Sequence, residues 1–156
     1  MEPMESTVAA HAELHAVRVR RAELRGTLNR LEDILASPAR GRAVVWGEAV
    51  HTALTALADD FGAHVEVTEG PGGLHESILA GDLRLANAVA ALTTEHGQIA
   101  EEIAGLVADS AAPVAPDDVD DVRERATQLL GQLVRHRQRG AELIYEAYDT
   151  DIGGGD

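Results

Sequence analysis

A repeated spacing of apolar residues, in alternating steps of three and four, constrains this chain more than any other feature. The clearest example covers residues 119–147, and its members are Val119, Val122, Ala126, Leu129, Leu133, His136, Gly140, Leu143 and Ala147. This spacing places all of them on one stripe of an α-helix, the stripe that a helix presents to the core of a bundle. The pattern therefore predicts long helices that pack side by side.

Three earlier segments repeat the pattern, and strong helix breakers separate them. Ser37 and Pro38 end the first segment, GPGG at residues 70–73 ends the second, and DSAAPVAP at 109–116 ends the third. The predicted helices cover about residues 8–36, 43–68, 83–108 and 117–148, with frayed termini. Because short connections favour antiparallel neighbours, the sequence predicts one all-α domain over residues 1–156, an antiparallel up-down-up-down four-helix bundle.

Charge and composition exclude several classes of partner. The formal net charge of −14 argues against binding to nucleic acid or to anionic membranes. The absence of cysteine excludes disulfides and thiolate metal sites, so any metal would be held by imidazole and carboxylate. No apolar run approaches the roughly 18 residues of a membrane span. The acidic N-terminus does not resemble a signal peptide, and a cytoplasmic location is expected.

Each predicted helix breaks its apolar stripe once with a large polar residue. These four residues are Arg21, His64, His96 and His136. Burying such groups without partners costs about 1–3 kcal/mol each. At a rise of about 1.5 Å per residue the four positions fall at similar levels of the bundle, so the sequence predicts a shared polar site in the core. The remaining histidines are predicted to be surface or packing residues: His11, His15, His51 and His75.

Four segments of the chain resemble the hemerythrin-like, HHE cation-binding family. LTTEHGQIAEEIAGL, which contains Glu95 and His96, is similar to the family's third-helix motif, and LLGQLVRHRQRGAELIYEAY is similar to its fourth-helix histidine segment. FGAHVEVTEGPGGL stands at the second-helix HxxxE motif, and RRAELRGTLNRLEDIL resembles the first helix. The resemblance implies a four-helix bundle with two irons, held by histidines and bridging carboxylates. It also implies oxygen binding, storage, or sensing of small gases or metals.

The chain departs from that family at the ligand positions. Arg21 stands at the first-helix histidine position, and an arginine cannot ligate because it remains protonated. Thr68 and Gly140 stand four residues after His64 and His136, where the family places its bridging carboxylates. These departures weaken a two-iron interpretation.

A mononuclear site fits the remaining ligands better. His64, His96 and His136, with Glu69 or Glu95 and a water, could hold one transition-metal ion, with iron or zinc as the leading candidates. Glu69 enters the predicted ligand set because it directly follows Thr68 in the chain. Arg21 is predicted to contact the bound ligand.

Three functions remain open from the sequence. The first is a hemerythrin-like protein with an altered, mononuclear site that binds or senses a metal or a small diatomic ligand. The second is a metal-free protein of the same fold that serves as an interaction or small-ligand-binding module. The third is an enzyme that uses the same histidines as general acid and base, although no substrate signature supports it. A monomer and a homodimer are both compatible with the sequence.

Overall fold

A computed structural model describes residues 2–149 of the chain, with side chains for residues 11–148. Within this range the protein is all-α, without any β-strand. It contains four long helices and one short helix: α1 Glu2–Ala36, α2 Ala43–Glu69, α3 Leu74–Gly81, α4 Ala86–Ser110 and α5 Val119–Ile144. Single 3-10 turns precede α4 and α5, at Leu83–Leu85 and Pro116–Asp118, and a π-helical turn, Tyr145–Asp149, follows α5.

The helix bounds differ from the predicted ones mainly at the N-terminus. Helix α1 begins at Glu2 instead of residue 8, because Pro3 lies in the first turn, where proline is tolerated, and good helix formers follow. The Asp82 side chain, just before the 3-10 turn Leu83–Leu85, accepts a hydrogen bond from the backbone N–H of Arg84. The predicted fraying of the C-terminus concerns residues 150–156, which fall outside the described residues.

The four long helices pack around one core, each against two others. α1 packs on α2, α2 on α4, α4 on α5, and α5 on α1. Contacts near the helix ends support this arrangement: the Trp46 indole N–H donates to the carbonyl oxygen of Ile34 at 3.0 Å, and Arg123 Nε donates to that of Leu35 at 3.0 Å. Among the described residues, no helix is both long and apolar enough to cross a membrane.

The apolar core consists of two clusters that meet near the predicted polar site. The larger cluster contains the buried rings of Trp46 and Phe61. The smaller one lies under α3 and consists of Val17, Leu74, Ile78, Leu85, Val89, Leu92 and Leu143. The Phe61 ring lies 5.8–6.2 Å from the rings of His64, His96 and His136. The stripe histidines therefore occupy the junction between the two clusters.

Candidate metal centre

His64, His96 and His136 come together in the core, one from each of α2, α4 and α5. All three are buried. Their ring centroids lie 5.2, 5.6 and 4.7 Å apart. Three imidazoles around a tetrahedral ion, with bonds of about 2.0–2.1 Å, would have centroids about 5 Å apart. One potential ligand nitrogen from each ring lies within 4.8 Å of the others, so the rings would move inward to bind an ion.

Two of the three imidazoles are held from outside by carboxylates. Nδ1 of His96 lies 2.8 Å from Glu69 Oε2, and Nδ1 of His136 lies 3.0 Å from Glu95 Oε1. Each bond joins two different helices. A carboxylate at Nδ1 favours the tautomer with a proton on Nδ1, which leaves Nε2 free to accept a metal. This is the arrangement that commonly orients metal-ligating histidines.

Glu95 is itself fixed as an anion. Burial raises the pKa of Glu95, but the hydrogen bonds from Arg139 and His136 outweigh that effect and bring the pKa below its ordinary value. Arg139 Nε donates to Glu95 Oε2 at 2.8 Å, while His136 occupies the other oxygen. The carboxylate is thus ionised and held in place beside His136.

His64 has no such support. Among the described residues neither of its ring nitrogens has a hydrogen-bond partner, and Nδ1 is fully buried. Burial, followed by repulsion between its protonated form and His96 and His136, lowers the pKa of His64 to about 3. A buried polar atom without a partner costs about 1–3 kcal/mol. At neutral pH this residue is therefore an uncharged imidazole with unused lone-pair capacity, as metal binding requires.

His75 belongs to the same cluster, although the sequence placed it among the surface or packing residues. Its ring stacks parallel to that of His96, at 5.8 Å and an interplanar angle of 1°. Its Nδ1 lies 3.4 Å from the Thr93 hydroxyl. Burial, followed by the neighbouring His96, lowers the pKa of His75 to about 4. Its position between Leu74 and Ile78, the apolar residues on the buried face of α3, is the feature of the sequence that could have predicted its burial.

Arg21 reaches the same cavity from α1 and lies over Gly140. A Cβ atom at residue 140 would lie 2.8 Å from Arg21 Nη2, so the glycine leaves the space that the guanidinium occupies. No hydrogen bond or ion pair joins Arg21 to any residue that the structure describes. Burial, followed by the charges of Arg137 and Arg18, lowers the pKa of Arg21.

The histidines and Arg21 line one cavity of about 40 Å³. Its other lining residues are mostly apolar, and no aspartate or glutamate of the described chain is among them. Carboxylates that could bridge two metal ions are therefore missing from the cavity. The residues fit one ion with three imidazole ligands and an open position, and they do not fit a two-iron centre.

The other predicted residues occupy different places. Glu69 lies outside the group of potential ligand atoms and contacts His96. The Thr68 hydroxyl donates to the backbone carbonyl oxygens of His64 and Val65. His11 and His15 are exposed, and His51 is half-buried, with Nδ1 3.1 Å from the Ser110 hydroxyl.

The site offers imidazole nitrogen donors in a mostly apolar cavity, and beside them lies the guanidinium of Arg21, which has no acidic partner among the described residues. Such a donor set suits zinc, iron or copper and leaves space for an exogenous ligand.

Comparisons of the chain with protein-family models, with curated proteins and with solved structures found no match.

Proposed function

We propose that this protein binds one transition-metal ion, iron or zinc, through His64, His96 and His136 in the core of its bundle. Glu69 and Glu95 orient His96 and His136 from outside, a change from the ligand role expected for Glu69. With three protein ligands, a tetrahedral ion keeps a position open to an exogenous molecule. The protein would thereby bind or sense the metal itself or a small diatomic ligand.

The proposal rests on the way the three imidazoles meet in the core and on the contacts that hold them there. Three buried imidazoles from three helices offer ligand atoms within 4.8 Å of one another. Carboxylates hold the outer nitrogens of two of them, and the third has a buried nitrogen without a partner. Apolar side chains would fill this volume at a lower free-energy cost than three buried imidazoles. A bound metal ion would compensate for the cost of burying the imidazoles.

We also propose that the bundle is antiparallel and hemerythrin-like. Three contacts support this arrangement. Trp46 near the start of α2 contacts the end of α1, His51 near the start of α2 contacts Ser110 at the end of α4, and Arg125 near the start of α5 contacts Asp109 near that same end. The order of the histidine-bearing helices resembles that family, with Arg21, Thr68 and Gly140 as the departures.

Metal analysis tests the proposal directly. Protein purified without a polyhistidine tag and loaded with Zn(II) or Fe(II) is expected to hold one equivalent after gel filtration. His96→Ala should lose this binding, because it removes a ligand and leaves Glu69 without its partner. His51→Ala is the matched control and should keep one equivalent, since His51 contacts Ser110 instead. Metal content far below one equivalent in the loaded protein, or equal retention in both variants, would refute the proposal.

A metal-free ligand-binding module is the second candidate, and Arg21 favours it. An arginine beside three histidines adds positive charge where a cation would bind, and it has no acidic partner among the described residues. Under this alternative the cavity binds an organic or inorganic ligand directly, and the loaded protein would contain no metal after gel filtration. The same measurement therefore separates the two candidates.

A further inference from the structure

The cavity carries positive charge that the metal site does not use. Arg21, Arg25 and Arg137 all line it, together with the histidines, and none of its described lining residues is acidic. This is unusual in a chain with 27 acidic and 13 basic side chains. Five arginines form ion pairs with carboxylates, namely Arg20, Arg84, Arg123, Arg125 and Arg139, whereas the three that line the cavity form none with any described residue. Arg25 and Arg137 are exposed, but Arg21 is half-buried, and a cation that is partly removed from water without a partner is costly unless an anion compensates for it.

The neighbourhood of Arg21 is built to hold a guanidinium in place. Gly140 leaves room for it, because any Cβ there would contact Nη2 at 2.8 Å. The rings of His64, His96 and His136 line the same cavity as this guanidinium. The buried Nδ1 of His64 has no hydrogen-bond partner among the described residues, so this ring can donate a hydrogen bond to an anion that the guanidinium also contacts.

The size of the cavity limits the ligand. A cavity needs about 10–15 Å³ to hold one water. The 40 Å³ available here therefore suit about three or four non-hydrogen atoms. A guanidinium pairs two parallel N–H groups with two oxygens of an oxyanion, in carboxylates and in phosphates alike. The size of the cavity therefore favours formate-like and bicarbonate-like anions over the larger tetrahedral ones.

An entrance to the cavity lies between α1 and α5. A surface groove between these helices shares Arg25, Leu28 and Arg137 with the cavity lining and continues towards Arg123. The arginines along the groove outnumber its one acidic side chain, Glu32. An anion approaching through this groove would meet positive charge before it reaches Arg21, which favours its entry.

We propose that this cavity is a binding site for a small planar oxyanion, a monocarboxylate or a carbonate, held by Arg21 opposite the histidine cluster. Arg25 and Arg137 attract it at the entrance. The site does not depend on the metal: the guanidinium supplies the charge in the metal-free protein, and in the metal-loaded protein the same anion would reach the open position of the ion.

Isothermal titration of metal-free protein with sodium formate, at constant ionic strength in chloride, tests this inference. One formate is expected to bind per chain. Arg21→Gln should weaken binding about ten-fold or more, because a hydrogen bond to a charged group contributes about 1.5–3 kcal/mol. Arg21→Lys keeps the charge but loses the two parallel N–H groups of the guanidinium, and this variant should bind formate with intermediate affinity. Arg135→Gln, which removes an exposed arginine that does not line the cavity, should bind formate as the unmodified protein does.

Two further arms make the outcome decisive. Bicarbonate distinguishes the carbonate from the carboxylate form of the ligand, and sulfate, which is larger and tetrahedral, should bind much more weakly than either. The proposal is overturned if formate and bicarbonate do not bind the unmodified protein, if sulfate binds equally well, or if Arg135→Gln weakens binding as much as Arg21→Gln. Repeating the titration after zinc loading keeps this result separate from the metal proposal. A protein that binds formate but takes up no zinc would refute the metal proposal and leave the anion proposal standing.

Discussion

At the scale of single residues, the site depends on contacts between helices that lie far apart in the sequence. Glu95 directly precedes His96 in the chain, yet it contacts His136 on α5. His96 in turn is held by Glu69 on α2. Each histidine on α4 and α5 is therefore oriented by a carboxylate from a neighbouring helix. Movement of one helix would misalign a ligand on another, which couples the geometry of the site to the packing of the bundle.

Burial of the histidines also makes the metal-free protein sensitive to acid. An unfolded chain protonates each histidine near pH 6.5, whereas in the folded protein the pKa of His64 is lowered to about 3. Between these two pKa values the unfolded state binds more protons than the folded state. The contribution of neutral His64 to the free energy of unfolding is therefore complete above pH 6.5 and is lost as the pH falls. We expect His64→Leu to reduce the slope of unfolding free energy against pH by up to about 1.4 kcal/mol per pH unit.

Urea denaturation of chelator-treated protein between pH 7 and about pH 3 measures this slope. His75→Leu provides an internal comparison, because the pKa of His75 is lowered only to about 4 and its effect should end at a higher pH. Identical slopes for the unmodified protein and His64→Leu would contradict the prediction. Comparing slopes removes the contribution of the carboxylates, which both proteins share.

The residue positions that the sequence predicted best are those fixed by helical periodicity alone. His64, His96 and His136 were placed on core stripes from their spacing, and all three are buried. The role of Glu95 could not be predicted in the same way, because its partner His136 is 41 residues away and depends on the rotation of two helices. The orphaned nitrogen of His64 likewise emerges only when every neighbour is in place.

At the scale of helices, α2 is positioned by a close contact with the loop that precedes α5. Gly47 lies on the inner stripe of α2, and a Cβ there would lie 2.5 Å from Val114 Cγ2 and 2.8 Å from Val114 Cβ. Val114 is buried in the core. The glycine therefore allows the loop to pack against the helix.

A pair of substitutions on α2 tests this contact. Gly47→Ala should lower the free energy of unfolding by about 1–3 kcal/mol, since overpacking outweighs the gain in helix propensity. Gly62→Ala on the same helix has open space around its Cβ and should raise stability by about 0.5–1 kcal/mol. Thermal or urea denaturation compares the two variants. Equal stabilisation by both would show that Val114 does not pack on Gly47.

Helix α3 shows where periodicity is insufficient. It has only eight residues, Leu74–Gly81, and follows a glycine-rich turn. A segment this short carries too few positions to define a stripe, so its buried face is decided by docking against α1 and α2. That docking turns His75 towards His96 and completes the cluster. The long helices were predictable because each repeats its pattern over about seven turns or more.

At the scale of the whole molecule, the proposed ion would link three of the four long helices. Its ligands come from α2, α4 and α5, while α1 contributes Arg21 to the same cavity. The unfolded chain cannot bring these groups together, so metal binding should stabilise the entire bundle. At a free-metal concentration one hundred times the dissociation constant, the gain is about 2.7 kcal/mol.

For a domain of this size, that gain corresponds to a rise of roughly 5–10 °C in Tm. Scanning calorimetry of chelator-treated protein, with and without added Zn(II) or Fe(II), should show this shift as one cooperative transition. His96→Ala should show no shift, because two imidazoles cannot hold the ion tightly. A rise of the same size in His96→Ala would indicate binding at the acidic surface instead, since 27 carboxylates offer weak sites elsewhere. The shift in Tm therefore has to depend on His96 before it counts as evidence that the core holds the metal.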